Sequence, residues 1–93
     1  MIVLSPDAIA DIDRMRSFLN NKNPGAAQRA MALILSAIER LQDFPDRGLP
    51  TGDGIRQIVI KFGTSGYVIR YAIIPETEDI LITRIWHGRE ERA

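Results

Sequence analysis

Two runs rich in β-branched and aromatic residues, Tyr67–Ile74 and Ile80–Trp86, flank the polar stretch Pro75-Glu76-Thr77-Glu78-Asp79. That pattern predicts adjacent antiparallel strands joined by a short turn. A pair this apolar must be covered on at least one face, and the helices upstream are the candidates for the cover. The second run leads straight into Arg84, His87 and Arg89, so fold and chemistry are expected to meet at its end.

Upstream, Ile2–Leu4 is long enough for only a small strand. Ser5-Pro6-Asp7 reads as a helix start: a hydroxyl to accept from orphan amides, a proline suited to the first turn, and an acid at the positive end of the helix dipole. The spacing predicts a first helix from Pro6 to about Asn20. Ile9, Ile12, Met15 and Leu19 form its apolar stripe, with Asp11, Asp13, Arg14 and Arg16 on the other side. Asn23 and Pro24 open a second helix running to about Gln42. It is apolar almost all round, from Ala27 and Ala30 through Ile34, Ile38 and Leu41, so it is expected to pack against both the first helix and a sheet. The connection is short, which makes the two an antiparallel hairpin.

Phe44–Gly54, with two prolines and three glycines, is expected to be irregular. Ile55–Lys61 is the next strand, and Phe62–Gly66 a turn into Tyr67. The order β-α-α-β-β-β predicts a single α+β domain over residues 1–93, two layers deep, with the helical hairpin packed on one face of a mainly antiparallel sheet. On the central strand, Tyr67, Ile69, Tyr71 and Ile73 form the expected core set. Val68, Arg70, Ala72 and Ile74 face the other way, toward water or a partner.

Composition narrows the function. With no cysteine and one histidine, neither a disulfide framework nor a thiolate metal site is available; no metal or cofactor is expected. The first residues lack the pattern of a signal peptide, and no apolar run approaches the roughly 20 residues needed to span a bilayer, so a cytoplasmic protein is expected. Twelve basic and twelve acidic residues cancel, which argues against a dedicated nucleic-acid binder and against direct sequence-specific DNA binding. The charges are uneven, however. Between Asp53 and Glu76 the only charged residues are Arg56, Lys61 and Arg70, so a local basic face can exist in a neutral whole.

His87-Gly88-Arg89-Glu90 is the stretch with most chemical capacity. Histidine titrates near neutral pH, and arginine clamps a phosphate or carboxylate through two parallel hydrogen bonds. Arg84, Lys61 and Arg70 are candidates to join them from neighbouring strands. The structural alternative is that His87 packs beside Trp86, Arg89 pairs with Glu90 or Glu91, and the rest is solvated surface. Spacing by itself favours that alternative.

Four stretches taken together resemble the RelE/ParE family of type II toxin–antitoxin toxins. They are Leu4-Ser5-Pro6-Asp7-Ala8; Leu41-x-x-Phe44-Pro45-x-x-Gly48-x-Pro50; Gly66-Tyr67-x-Ile69-x-Tyr71; and Ile85-Trp86-His87-Gly88-Arg89. The resemblance implies a sheet in which the N-terminal strand lies beside the last one. It also implies a cognate antitoxin that wraps an extended or helical segment around the toxin, giving a hetero-oligomer. Apolar surface on the open sheet face and on the exposed side of the hairpin is where that antitoxin is expected to dock.

The family divides in function. RelE-like members cut messenger RNA in the ribosomal A site with a basic cluster and a C-terminal tyrosine; ParE-like members lack most of that apparatus and poison DNA gyrase. Aligned through Gly66-Tyr67, Lys61 and Arg89 match RelE-type cations. Val59 and Val68 stand where two others belong, and the sequence stops at Ala93, before the tyrosine is expected, so three of five positions are lost. The resemblance therefore implies a ParE-like, plasmid-stabilisation-type toxin that acts by binding, with DNA gyrase the expected target. Its target- or antitoxin-binding residues would come from Arg56, Lys61, Arg70, Arg84, Trp86, His87 and Arg89, and no residue would be catalytic. The alternatives are a RelE-like ribosome-dependent nuclease using Lys61, His87 and Arg89, and an inactive family relic.

Overall fold

The computed structural model describes residues 1–88. The chain runs β1 (Ile2–Leu4), α1 (Pro6–Lys22), α2 (Pro24–Arg40), a single 3-10 turn (Pro45–Arg47), β2 (Leu49–Gly52), β3 (Ile55–Phe62), β4 (Ser65–Ile73) and β5 (Ile80–His87). The strands form one sheet in the order β1-β5-β4-β3-β2. β1 lies parallel to β5, and every other pairing is antiparallel. The α+β hairpin-on-sheet architecture and the position of the N-terminal strand beside the last one are as expected.

One strand was not expected. β2 lies in the stretch read as irregular, and it forms because Asp53-Gly54 is a two-residue turn between Gly52 and Ile55. Both turn residues have positive φ, 55° and 77°, the requirement of a type I′ hairpin, whose twist matches that of the flanking strands. The Phe62–Gly66 turn is likewise tighter than expected. Only Gly63 and Thr64 separate the paired residues Phe62 and Ser65, with Gly63 at φ 61°.

Both helix starts follow from local chemistry. The Ala8 amide donates to Ser5 Oγ at 3.0 Å, and the Ala26 amide to Asn23 Oδ1 at 3.1 Å, each satisfying a donor that a helix end leaves orphaned. Ser5 also ties the helix to the sheet. Its amide donates to the Ile82 carbonyl and its hydroxyl to the Thr83 carbonyl, both at 2.9 Å.

The core lies between the hairpin and one sheet face. Ala8 and Met15 of α1, and Ala30, Ile34, Ala37 and Ile38 of α2, pack with Ile58, Ile60, Tyr67, Ile69, Tyr71, Ile80, Ile82 and Ile85. Of the expected α1 stripe, Met15 is buried and Ile12 and Leu19 pack against the core, and Ile9 alone departs from it. Ile9 is 49% exposed, and Ala8, Asp11 and Met15 are the buried positions, at the i, i+3, i+7 spacing of one helix face. Tyr71 closes the far end of the core: its hydroxyl donates to the Pro45 carbonyl at 2.7 Å and accepts from the Gly48 amide at 2.8 Å. Gly48 is required for space, since a Cβ there would lie 2.7 Å from that hydroxyl.

Candidate functional site

The sheet face away from the helices is built row by row from three strands. Ile55, Ala72 and Leu81 form one row, Gln57 and Arg70 the next, Val59, Val68 and Trp86 the third, and Lys61 sits beside Gly66 at the end. Arg70 organises the middle. Its Nε donates to Gln57 Oε1 at 3.0 Å, and its guanidinium lies 5.0 Å from the centre of the Trp86 ring.

The face is not bare throughout. Val68 and Trp86 are nearly buried, and exposure concentrates on the β2–β3 side, where Leu49 is 76% and Val59 61% exposed. Two large aliphatic side chains in water beside an exposed lysine and a half-buried arginine make an apolar patch with a basic fringe.

β5 decides where the remaining candidates go. Arg70 pairs with Arg84 but Tyr71 pairs with Ile82, so Thr83 is an extra residue, a β-bulge. Its hydroxyl donates to the Arg70 carbonyl at 3.1 Å. Strict alternation would have placed Ile80, Ile82, Arg84 and Trp86 on one side. The bulge instead puts Ile80, Ile82, Ile85 and His87 opposite Ile73, Tyr71, Ile69 and Tyr67 on the helix side, and leaves Trp86 opposite Val68 on the open face.

Arg84, opposite Arg70, reaches across the unpaired edge of β5 to the helix. Its Nε donates to Asp11 Oδ2 at 2.8 Å and one terminal nitrogen donates to Asp11 Oδ1 at 3.0 Å, a two-point clasp. The Ile85 amide donates to Asp11 Oδ2 at 2.8 Å, and Arg14 to Oδ1 at 2.8 Å. Asp11 is 1% exposed, so one buried carboxylate serves four donors. Burial opposes its ionisation, but the hydrogen bonds from Arg84, the Ile85 amide and Arg14 outweigh that penalty and hold its carboxyl below the usual carboxylate range. The carboxylate also does a strand's work. β1 pairs with β5 only through Ile82, and beyond that point Asp11 satisfies the Ile85 amide on the unpaired edge.

His87 lies on the helix side, its ring edge-on to Tyr67 at 5.3 Å between centroids. It lines a groove of about 430 Å³ with Arg14, Met15, Phe18, Leu19, Ser65 and Tyr67. Phe18 is exposed on the lip, with the Lys22 ammonium 5.4 Å from its ring centre. Arg56 also points away from the open face. It donates to the Gly48 carbonyl at 2.7 Å and lies 3.6 Å from an Asp46 carboxylate oxygen.

The seven candidates therefore do not converge. Lys61, Arg70 and Trp86 share the open face; Arg56, Arg84 and His87 go elsewhere; Arg89, with Glu90 and Glu91, lies outside the described residues. His87 packs against Tyr67, across the sheet from Trp86, contrary to the expectation that it would sit beside that ring. Asp11 was missed because it was grouped with the polar residues of α1. Its spacing from Ala8 and Met15 was the available signal.

No described helix is long and apolar enough to cross a membrane. A family model described as the ParE toxin of type II toxin–antitoxin systems matches residues 2–92. Two curated proteins of Caulobacter vibrioides are similar over 91 residues. Toxin RelE3 is 37% identical, with 98% of this chain and 97% of that protein covered. Toxin RelE1 is 38% identical, with 98% and 96% covered. Among solved structures, the chromosomal ParDE system of P. aeruginosa matches with a TM-score of 0.74 at 19% identity, covering 92% of each chain. The intact E. coli RelBE toxin–antitoxin complex matches at 0.62 and 16%, covering 99% and 98%. These two likenesses concern the fold. The family model and the curated relatives carry the assignment: the chain belongs to the ParE toxin family, within the RelE/ParE superfamily of type II toxin–antitoxin toxins.

Proposed function

We propose that this toxin arrests growth by gripping a protein with the open sheet face, with DNA gyrase the target expected of a ParE-like member, and that a cognate antitoxin neutralises it in the cytoplasm. The observation that carries the reading is the separation of Lys61 and His87 on opposite faces of the sheet. Cleaving a phosphodiester by attack of its 2′-hydroxyl needs a base, an acid and stabilisation of phosphoryl charge around one point. Arg84, the nearest further cation on β5, is held by Asp11. What is available on the open face is an apolar patch at Leu49 and Val59 with Lys61 and Arg70 at hand, a composition suited to a protein surface.

The deciding experiment is supercoiling by purified gyrase with the toxin in excess. Inhibition, with an SOS response on induction in cells, is expected; intact supercoiling would count against the target. The RelE-like nuclease is the second reading, favoured by the names of the Caulobacter relatives and by the shared placement of Lys61 and Arg70. It requires cuts in translated messages, seen by primer extension, that vanish in Lys61→Ala. Uncut messages in arrested cells reject it. The antitoxin should cover Leu49 and Val59, so co-expression with it should raise solubility and lead to co-purification.

A further inference from the structure

Asp53 is the only aspartate in the chain that precedes a glycine. The pair forms the tip of the β2–β3 hairpin, where the two-residue turn holds Asp53 at φ 55°, a left-handed conformation that is costly for a residue with a Cβ. Both residues are exposed, and a Cβ built at Gly54, or at Gly52 before the turn, would meet no atom within 4 Å. Among the described residues, no hydrogen bond or ion pair holds the Asp53 carboxylate. The other aspartates precede residues with side chains, such as Arg47 after Asp46 and Ile80 after Asp79, which crowd the amide nitrogen that follows.

We propose that Asp53-Gly54 is a site of spontaneous covalent modification, at which the main chain is rerouted through the Asp53 side chain as isoaspartate. The Gly54 amide nitrogen, with no side chain beside it, attacks Cγ of the protonated Asp53 carboxyl. A C–N bond forms, the amide proton and the carboxyl hydroxyl leave as water, and a five-membered succinimide closes. Water then reopens the ring. Addition at Cγ restores aspartate, whereas addition at the main-chain carbonyl leaves the chain running through Cβ and Cγ, with the former main-chain carboxyl as the side group. Only water is lost and regained, so the mass is unchanged. The consequence falls on β2. A two-residue loop fixes the register of its strands, and an extra backbone methylene removes that match. β2 has little else to hold it, since all four of its residues are exposed and its pairing with β3 already shifts between Pro50 and Gly52. Leu49, one of the two aliphatic side chains of the open-face patch, lies on this strand, so the modification disturbs that surface whichever partner it serves.

The test incubates the purified, folded full chain at physiological temperature and neutral pH and then digests it with trypsin, which releases residues 48–56 as a peptide with Asp53 its only acidic residue. A second form of this peptide is expected to accumulate with time, equal in mass, different in chromatographic retention, and methylated by S-adenosylmethionine with protein isoaspartyl methyltransferase. It should be absent from Asp53→Glu, whose longer side chain would have to close a larger ring. A folded chain that forms none overturns the proposal, and formation in urea alone would show that the turn protects the pair. A modified peptide that persists in Asp53→Glu overturns it as well. Hydrogen exchange across Leu49–Gly52 should quicken in the modified fraction while that of β4 stays as it was. Exchange at β2 as slow as in the unmodified chain overturns the loss of register.

Discussion

Removing the Asp11 carboxylate is expected to cost more than any other single surface-to-core change on α1. In Asp11→Ala the Ile85 amide is left buried without an acceptor, a loss of about 1–3 kcal/mol. Arg84 loses both hydrogen bonds to the carboxylate. Its side chain is 38% exposed, so water recovers part of that loss, and about 1 kcal/mol is a fair share. The sum is about 2–4 kcal/mol, against a total of about 5–14 kcal/mol for a domain of this size. With about 4–8 °C per kcal/mol, the melting midpoint should fall by roughly 10–30 °C. Thermal and urea unfolding followed by circular dichroism reads it directly. Asp13→Ala, two residues away and exposed, is the control and should stay within about 0.5 kcal/mol. An Asp11→Ala protein within about 1 kcal/mol of wild type, or no worse than the control, would refute the role assigned to the clasp. A double-mutant cycle with Arg84→Ala isolates the pair from the amide.

The same carboxylate sets a pH dependence. Its folded-state pKa lies below the ordinary 3.8, so it contributes stability above that value, and the contribution is lost as pH falls through the folded pKa. Urea midpoints between pH 7 and pH 2.5 should therefore fall less steeply in Asp11→Asn than in wild type. Gly48→Ala drives a methyl group to 2.7 Å from the Tyr71 hydroxyl and should cost about 1–3 kcal/mol in urea unfolding, although φ at Gly48 is an ordinary −74°. Val59→Asp, on an exposed site, should leave stability within about 0.5 kcal/mol but reduce antitoxin retention in a pull-down.

Much of the architecture was legible in the residues because it rests on local chemistry. Ser5-Pro6-Asp7 and Asn23-Pro24 carry the helix starts, and the Tyr67–Ile73 alternation names the core face of β4, down to Tyr67, Ile69 and Tyr71 as fully buried side chains. β2 was missed although Asp53-Gly54 signals a hairpin, because the prolines and glycines around it were read as a continuous loop.

The functional surface was less legible, and the cause is a single inserted residue. A strand's faces follow from alternation only while the register holds, and the bulge at Thr83 shifts it. Beyond it Ile85 and His87 fall on the core side and Trp86 on the open one, while Arg84 reaches round the free edge of β5 to α1, so alternation counted from the start of the strand no longer says which residues share a surface. Composition and periodicity determined which elements form and which face of the central strand is buried. Only the tertiary structure decided that Asp11 is buried, because a carboxylate can leave water only where donors from a distant strand replace the hydration it gives up, and those donors lie more than seventy residues away along the chain.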